Sequence, residues 1–287
     1  MKLYSGLLAF CAIQQATSFN IQAAKKPALT RLGSTIPGAA TGTAAPTVSG
    51  TQTAPLSYKE RKADPRFDKK KGIKIQGSTL RTCSFNENVN RVQVLLETEG
   101  RPLNANVDLW QGPDNAPQKM AVYIEDGGKR PFNAIVETPG AGNAIAIRNT
   151  APMEFPLSAF VESSVEGGDP AANLGATSKS KTVQGGAVYT VPFDPSVASV
   201  QILLTTDGRP MKSRIELLQG PNNNKQVLDV YTEDGNLRPF YIIVETPGDG
   251  NVVRIVNSAT LEYPLEAHVE PYLVDTSAAD GEGMLWS

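Results

Sequence analysis

Histidine is nearly missing from this sequence: His268 is the only one among 287 residues. Cysteine is scarce too, limited to Cys11 and Cys83, and aromatic residues make up only 7% of the chain. These shortages exclude whole classes of chemistry. So few residues cannot assemble a zinc site from His and Cys ligands, and a Ser-His-Asp triad would have to be built on His268. No GxSxG stretch occurs. Cys11 lies in a segment expected to be removed, so Cys83 has no intrachain disulfide partner, unlike the cysteines of a secreted sandwich that staples itself. Acidic residues are absent before Glu60, whereas Lys2, Lys25, Lys26, Arg31 and Lys59 precede it. The remainder holds 22 basic and 29 acidic residues, a net charge of −7, which argues against nucleic acid as a partner. The apolar run from Leu7 to Ile13 is too short to span a bilayer, so membrane insertion of the mature form is not expected.

What is present begins with an address. Residues 1–18 follow a signal-peptide pattern, with Lys2, the apolar run and then small residues. Residues 19–57 are rich in Ala, Ser, Thr, Gly and Pro and hold no acid. That is transit-peptide composition, too poor in large apolar residues to form a core, and it predicts a disordered leader. Ordinary secretion followed by a disordered stalk is the alternative. Residues 58–73 form a basic linker containing KERKADPRFDKKK. It reads either as a solvated connector or as an arm for an acidic patch on another copy or a client protein.

Beyond the linker the chain repeats itself. Val200 answers Val92, and the shift of 108 residues aligns 92–162 with 200–270 without a gap. RVQVLLETEGRP faces SVQILLTTDGRP, LWQGP faces LLQGP, VYIEDGGKRPF faces VYTEDGNLRPF, and IVETPGAGN faces IVETPGDGN. A weaker likeness upstream pairs KIQGSTLRTCSF with TVQGGAVYTVPF. Two modules follow, 74–162 and 182–270, joined by a Gly/Ala/Ser linker at 163–181 with no apolar period, and followed by a tail at 271–287.

Each module reads as short strands with period-two apolar alternation, in the first near 79–85, 92–97, 106–110, 120–124, 132–138, 144–148 and 155–161. The turn signals EGRP, QGPDN, EDGG and TPGAGN separate them. TPGAGN resembles a phosphate loop at first sight, but such a loop needs a following helix. Here NAIAIRN and NVVRIVN follow, and both read as strands. Pro139 with Gly140, and Pro247 with Gly248, fit the centre of a type II turn and predict a hairpin. The expected fold is all-β: two tandem homologous antiparallel sandwich-like modules behind a disordered leader.

Candidate chemistry is thin. His268 stands opposite Phe160 in the repeat, which suggests a ring packed on a strand surface, and Cys83 stands opposite Val191, which suggests a small hydrophobe. The acidic pairs Glu125-Asp126 and Glu233-Asp234 recur inside turn sequences, with Arg130 and Arg238 as expected partners across the turn. Neither EF-hand spacing nor a clear glycosidase pair is present, so no catalytic residue, cofactor or metal is expected. The tail ends in Met284, Leu285 and Trp286 behind a flexible spacer. An apolar knob of that kind is either without a role or docks onto a neighbouring copy.

Taken together, the tandem ETPGxGN and EDGxxRPF signatures and the two-part leader resemble the pyrenoid shell proteins of diatoms. The junction Ala16-Thr17-Ser18-Phe19 departs at two positions from the usual Ala-Ser-Ala-Phe of diatom plastid addresses. The resemblance covers both modules and the leader, and carries no site residue with it. It implies a structural protein of the plastid stroma at the pyrenoid periphery. Copies would assemble into a sheet or tube around the Rubisco condensate, with related shell proteins and Rubisco as partners, and would support carbon fixation by limiting CO2 leakage. A second reading, a non-catalytic binder of carbohydrate or lipid, would need solvent-facing aromatics clustered on one face. Trp110 faces Leu218 in the repeat, so it is not part of a duplicated platform. Residues 1–57 fused to a fluorescent protein in a diatom are expected to carry fluorescence into the plastid; fluorescence at the cell surface would instead support the secretion reading.

Overall fold

The computed structural model of the chain describes residues 72–163, 168–221 and 223–275. The leader, residues 58–71 of the basic linker, and Met284, Leu285 and Trp286 lie outside the described residues. The first half contributes β1 (Ile73–Ile75), β2 (Leu80–Ser84), β3 (Arg91–Glu97), β4 (Leu103–Gln111), β5 (Gln118–Ile124), β6 (Phe132–Glu137), β7 (Asn143–Asn149) and β8 (Leu157–Glu162). The second contributes β9 (Lys181–Val183), β10 (Val188–Pro192), β11 (Val197–Thr205), β12 (Met211–Gln219), β13 (Asn224–Thr232), β14 (Phe240–Glu245), β15 (Asn251–Asn257) and β16 (Leu265–Val274). The alternation that marks the strands is plain in β5, where Gln118, Met120, Val122 and Ile124 are buried while Lys119, Ala121 and Tyr123 face solvent.

All ladders are antiparallel and form two sheets of eight strands. Sheet I runs β1-β8-β3-β6-β14-β11-β16-β9, and sheet II runs β10-β15-β12-β13-β5-β4-β7-β2. Within each half the two sets of four strands follow the order of a jelly roll. Yet the halves are not two sandwiches side by side, as the sequence suggests. Each sheet passes through both of them, by β6 on β14 in sheet I and β5 on β13 in sheet II. Both joining ladders read the same when each residue is exchanged for the one 108 positions away. Gln118 faces Thr232 and Gln226 faces Ile124, with Ala121 opposite Asp229 at the centre. In sheet I, Ala134 faces Ile242. One apolar cluster fills the space between the sheets and takes residues from both halves, among them Val94, Met120, Phe132, Ile202, Leu228 and Phe240.

Two further departures from the sequence reading have local causes. An eighth strand joins each half because β1 and β9, three residues long, are too short to show an apolar period. Between the halves, where a structureless linker is expected, α1 (Pro170–Thr177) forms. Asp169 caps it by accepting from Ala172 N at 2.9 Å, and Pro170 stands in the first turn. Ala171 and Leu174, spaced for one helical face, pack on Ile135, Leu203, Tyr241 and Ile243 of the outer side of sheet I. His268 is buried beneath the end of this helix, with Nδ1 2.7 Å from Ser178 Oγ. Because that hydroxyl also donates to Leu174 O, His268 Nδ1–H must be the donor of the pair.

Buried asparagines pin the strand ends. Asn257 Nδ2 donates to Val183 O at 2.9 Å and Tyr263 O at 2.8 Å, while its Oδ1 accepts from Ala259 N. Asn149 repeats the arrangement with Ile75 O, Phe155 O and Ala151 N. Asn257→Ala orphans buried backbone groups and is expected to cost about 2–4 kcal/mol, read as a fall in the urea midpoint at unchanged m-value. Asn149→Ala should match it, and a loss below about 0.5 kcal/mol in either variant contradicts the pinning role.

Candidate functional site

The recurring signatures converge at the junction between the halves. Gly140 and Gly248 hold φ of +83° and +80°, the left-handed region that the third position of a type II turn requires. The strand that follows each turn lies in the other sheet: β6 and β14 belong to sheet I, β7 and β15 to sheet II. These segments are therefore corners between sheets and not the hairpins expected from their sequence, because the inward residues of consecutive strands have to close opposite walls of one core. Asn143 fills the first corner, its Nδ2 donating to Thr138 O at 3.0 Å and Gly140 O at 2.9 Å. Asn251 does the same with Thr246 O and Gly248 O.

Each corner is held from a second signature. Gln111, of LWQGP, donates from Nε2 to Pro139 O at 3.1 Å. Gln219, of LLQGP, donates to Pro247 O at 3.2 Å and Asp249 O at 3.2 Å. The glutamines are in turn engaged by the third signature, from the opposite half. Arg238 Nη2 donates to Gln111 Oε1 at 2.7 Å, and Arg130 Nη2 donates to Gln219 Oε1 at 3.0 Å. Both arginines are buried. Their expected partners, the acids of their own turns, are not where the guanidinium groups bond. The acids organise the turn backbone instead: Asp126 Oδ1 accepts from Gly128 N and Lys129 N, and Asp234 Oδ1 from Asn236 N and Leu237 N. Burial pushes the Arg130 guanidinium below its ordinary pKa, against the pull of Glu125 and Asp126. Glu125 adds an ion pair across the junction, with Lys225 Nζ at 2.6 Å.

The turn glycines explain their own recurrence. A Cβ on Gly127 would lie 2.6 Å from Thr98 Oγ1, and one on Gly235 would lie 2.5 Å from Thr206 Oγ1. Those hydroxyls donate to Arg101 O and Arg209 O, in the EGRP and DGRP turns. The signatures thus build a reciprocal clamp: corner to glutamine within one half, glutamine to arginine across to the other. What the arrangement does chemically is hold two sheet junctions in register.

Other carboxylates are occupied in ways that suit packing. Glu137 bonds Arg91 Nε at 2.5 Å; burial raises its pKa, Arg91 opposing. On the outer face of sheet II, burial of Glu216 is outweighed by hydrogen bonds from Arg214 and Arg254, which hold its carboxyl below the ordinary range. An open depression of about 360 Å³ beside them is lined by Asn106, Asp108, Lys119, Lys212, Asp229 and Tyr231. Cys83 is half-buried on β2, and burial pushes its thiol up, away from a reactive thiolate. Among the described residues no group of three or more His, Cys, Asp or Glu is placed to hold a metal, and no helix is long and apolar enough to cross a membrane.

The sequence model of a family described as "Diatom pyrenoid shell protein" matches residues 67–271. None of the curated proteins matches the sequence. Among solved structures, the PBSX exported protein XepA is 10% identical, with a TM-score of 0.23 over 69% of this chain and 84% of that one. An oxalate decarboxylase of Lactobacillus farciminis is 9% identical, TM-score 0.19, over 75% and 84%. The vicilin of Solanum lycopersicum (tomato) is 8% identical, TM-score 0.18, over 70% and 76%. At these scores the likenesses carry no argument about activity.

The clamp is open to a direct test. A double-mutant cycle of Arg238→Ala and Gln111→Ala should give a coupling of about 1.5–3 kcal/mol, the range for hydrogen bonds to a charged group. Arg238→Ala with Glu233→Ala should couple far less; the reverse order would return Arg238 to its own turn.

Proposed function

We propose, from the premise that the chain belongs to the diatom pyrenoid shell protein family, that its function is structural: copies assemble into the proteinaceous shell of a plastid pyrenoid. Membership of that family is the single observation that carries the reading, and the family name points to the pyrenoid as its place. Two copies of one β unit, 74–162 and 182–270, make a rigid double-sheet tile, delivered to the stroma by the leader and arrayed at the pyrenoid periphery around Rubisco. The array would act as a barrier against loss of CO2 and so support carbon fixation. The clamp supports this reading, since its repetition in both halves of the chain serves rigidity.

Assembly is proposed to use strand edges and the tail, with Met284, Leu285 and Trp286 bridging to a neighbouring copy. Burying one such side chain stabilises by on the order of 1.5–3 kcal/mol, offset in part by ordering of the tether. One tail contact is weak, but repetition across an array raises its weight through effective concentration. The chain from residue 58 onward is expected to form sheets or tubes by negative-stain imaging and to sediment without added ligand. Truncation after Gly283 should raise the concentration at which this happens severalfold. Equal assembly by both forms removes the tail from the account, and an untruncated chain from residue 58 onward that stays monomeric at high concentration overturns the shell reading itself.

A further inference from the structure

The two edges of sheet II differ from those of sheet I in a way that bears on how copies meet. Sheet I ends in β1 and β9, three residues each. Sheet II ends in β2 and β10, five residues each, and neither has a strand on its outer side among the described residues. Free edges of this kind are usually blunted by charge or by proline. β10, VYTVP, carries no charge and a single proline at its end, and Val188 on it is 57% exposed.

The backbone groups that point outward follow from the ladders. Phe193 N bonds Asn251 O and Asn257 N bonds Ala187 O, so in antiparallel alternation Ala187, Tyr189, Val191 and Phe193 face β15. Val188, Thr190 and Pro192 therefore turn their N–H and C=O groups outward. On the opposite edge, Phe85 N bonds Asn143 O and Asn149 N bonds Thr79 O, which leaves Leu80, Thr82 and Ser84 facing outward. With eight antiparallel strands in the sheet, β2 and β10 run in opposite directions. A second copy placed beside the first by translation thus sets its β10 antiparallel to this β2.

We infer that sheet II continues from one copy into the next, β2 pairing with β10 of the neighbouring copy, with Leu80 opposite Pro192, Thr82 opposite Thr190 and Ser84 opposite Val188. This deepens the shell reading and rests on it. The decisive detail is Pro192, which has no N–H to give. The carbonyl it would leave without a donor is that of Leu80, and Arg81 Nη1 already reaches that oxygen at 3.4 Å. Every other outward N–H and C=O of the two strands finds a partner. On the outer face Leu80 packs on Pro192 and the two threonines meet as a cross-strand pair. The exposed Val188 is covered by Ser84 and Thr82. Pairing of β2 with β2 fits less well, since it brings two Arg81 side chains to diagonal positions on one face. The contact is heterologous, and the twist between strands rotates each copy against the last, so it propagates and does not close on itself.

Cysteine cross-linking of the chain from residue 58 onward, in a Cys83→Ser background, tests the pairing. Directly opposed residues of a hydrogen-bonded pair lie about 5.5 Å apart at Cα, within disulfide reach. The variant carrying both Thr82→Cys and Thr190→Cys should oxidise, once assembled, into a ladder of covalent multimers on a non-reducing gel, while either single variant stays monomeric there. Circular dichroism of each variant verifies the fold. Covalent dimers from Thr82→Cys alone would overturn the inference in favour of β2 on β2. Material that sediments as assemblies but yields no ladder overturns the edge contact and leaves the shell reading standing. A parent chain that never sediments overturns both.

Discussion

Two antiparallel ladders, β5 on β13 and β6 on β14, decide what this molecule is. Without them the chain would be two small jelly rolls on a string, each with open edges on both walls. With them each wall of the sandwich becomes one sheet of eight strands, and the cores of the halves merge into one apolar cluster. The symmetric register, with Ala121 on Asp229 and Ala134 on Ile242, means that a single arrangement satisfies both halves at once. A slip of one residue would turn every inward side chain outward. The Arg130–Gln219 and Arg238–Gln111 bonds sit where such a slip would be felt, and each ties an arginine of one half to a corner of the other.

Several charged groups are bonded to one another: half-buried Glu137 to Arg91, and buried Glu216 to Arg214 and Arg254. α1 covers part of the outer side of sheet I through Ala171 and Leu174, while among the described residues no helix covers the outer side of sheet II and no strand pairs with its two five-residue edges.

Much of this was legible in the sequence, and the failures are instructive. The period-two apolar residues of β3, β5 and β7 mark strands without ambiguity, and the 108-residue shift maps one half on the other. The signatures read as turn chemistry, and Gly140 and Gly248 hold φ of +83° and +80°. What the sequence could not reveal is which half a residue serves. Arg238 stands beside Glu233 and Asp234 in the chain, yet its guanidinium bonds Gln111, 127 positions away. Consecutive strands that alternate between sheets look the same in sequence as hairpins, hence the misreading of the Pro139 and Pro247 corners. α1 was hidden because Ala171 and Leu174 are its only buried residues.

The central claim, that the two halves form one cooperative body through shared sheets, is tested most directly by differential scanning calorimetry of the chain from residue 58 onward, under conditions where it is monomeric. The account predicts a single transition whose calorimetric and van't Hoff enthalpies agree. Two transitions, or a calorimetric enthalpy about twice the van't Hoff value, would mean that the halves unfold independently and would contradict it.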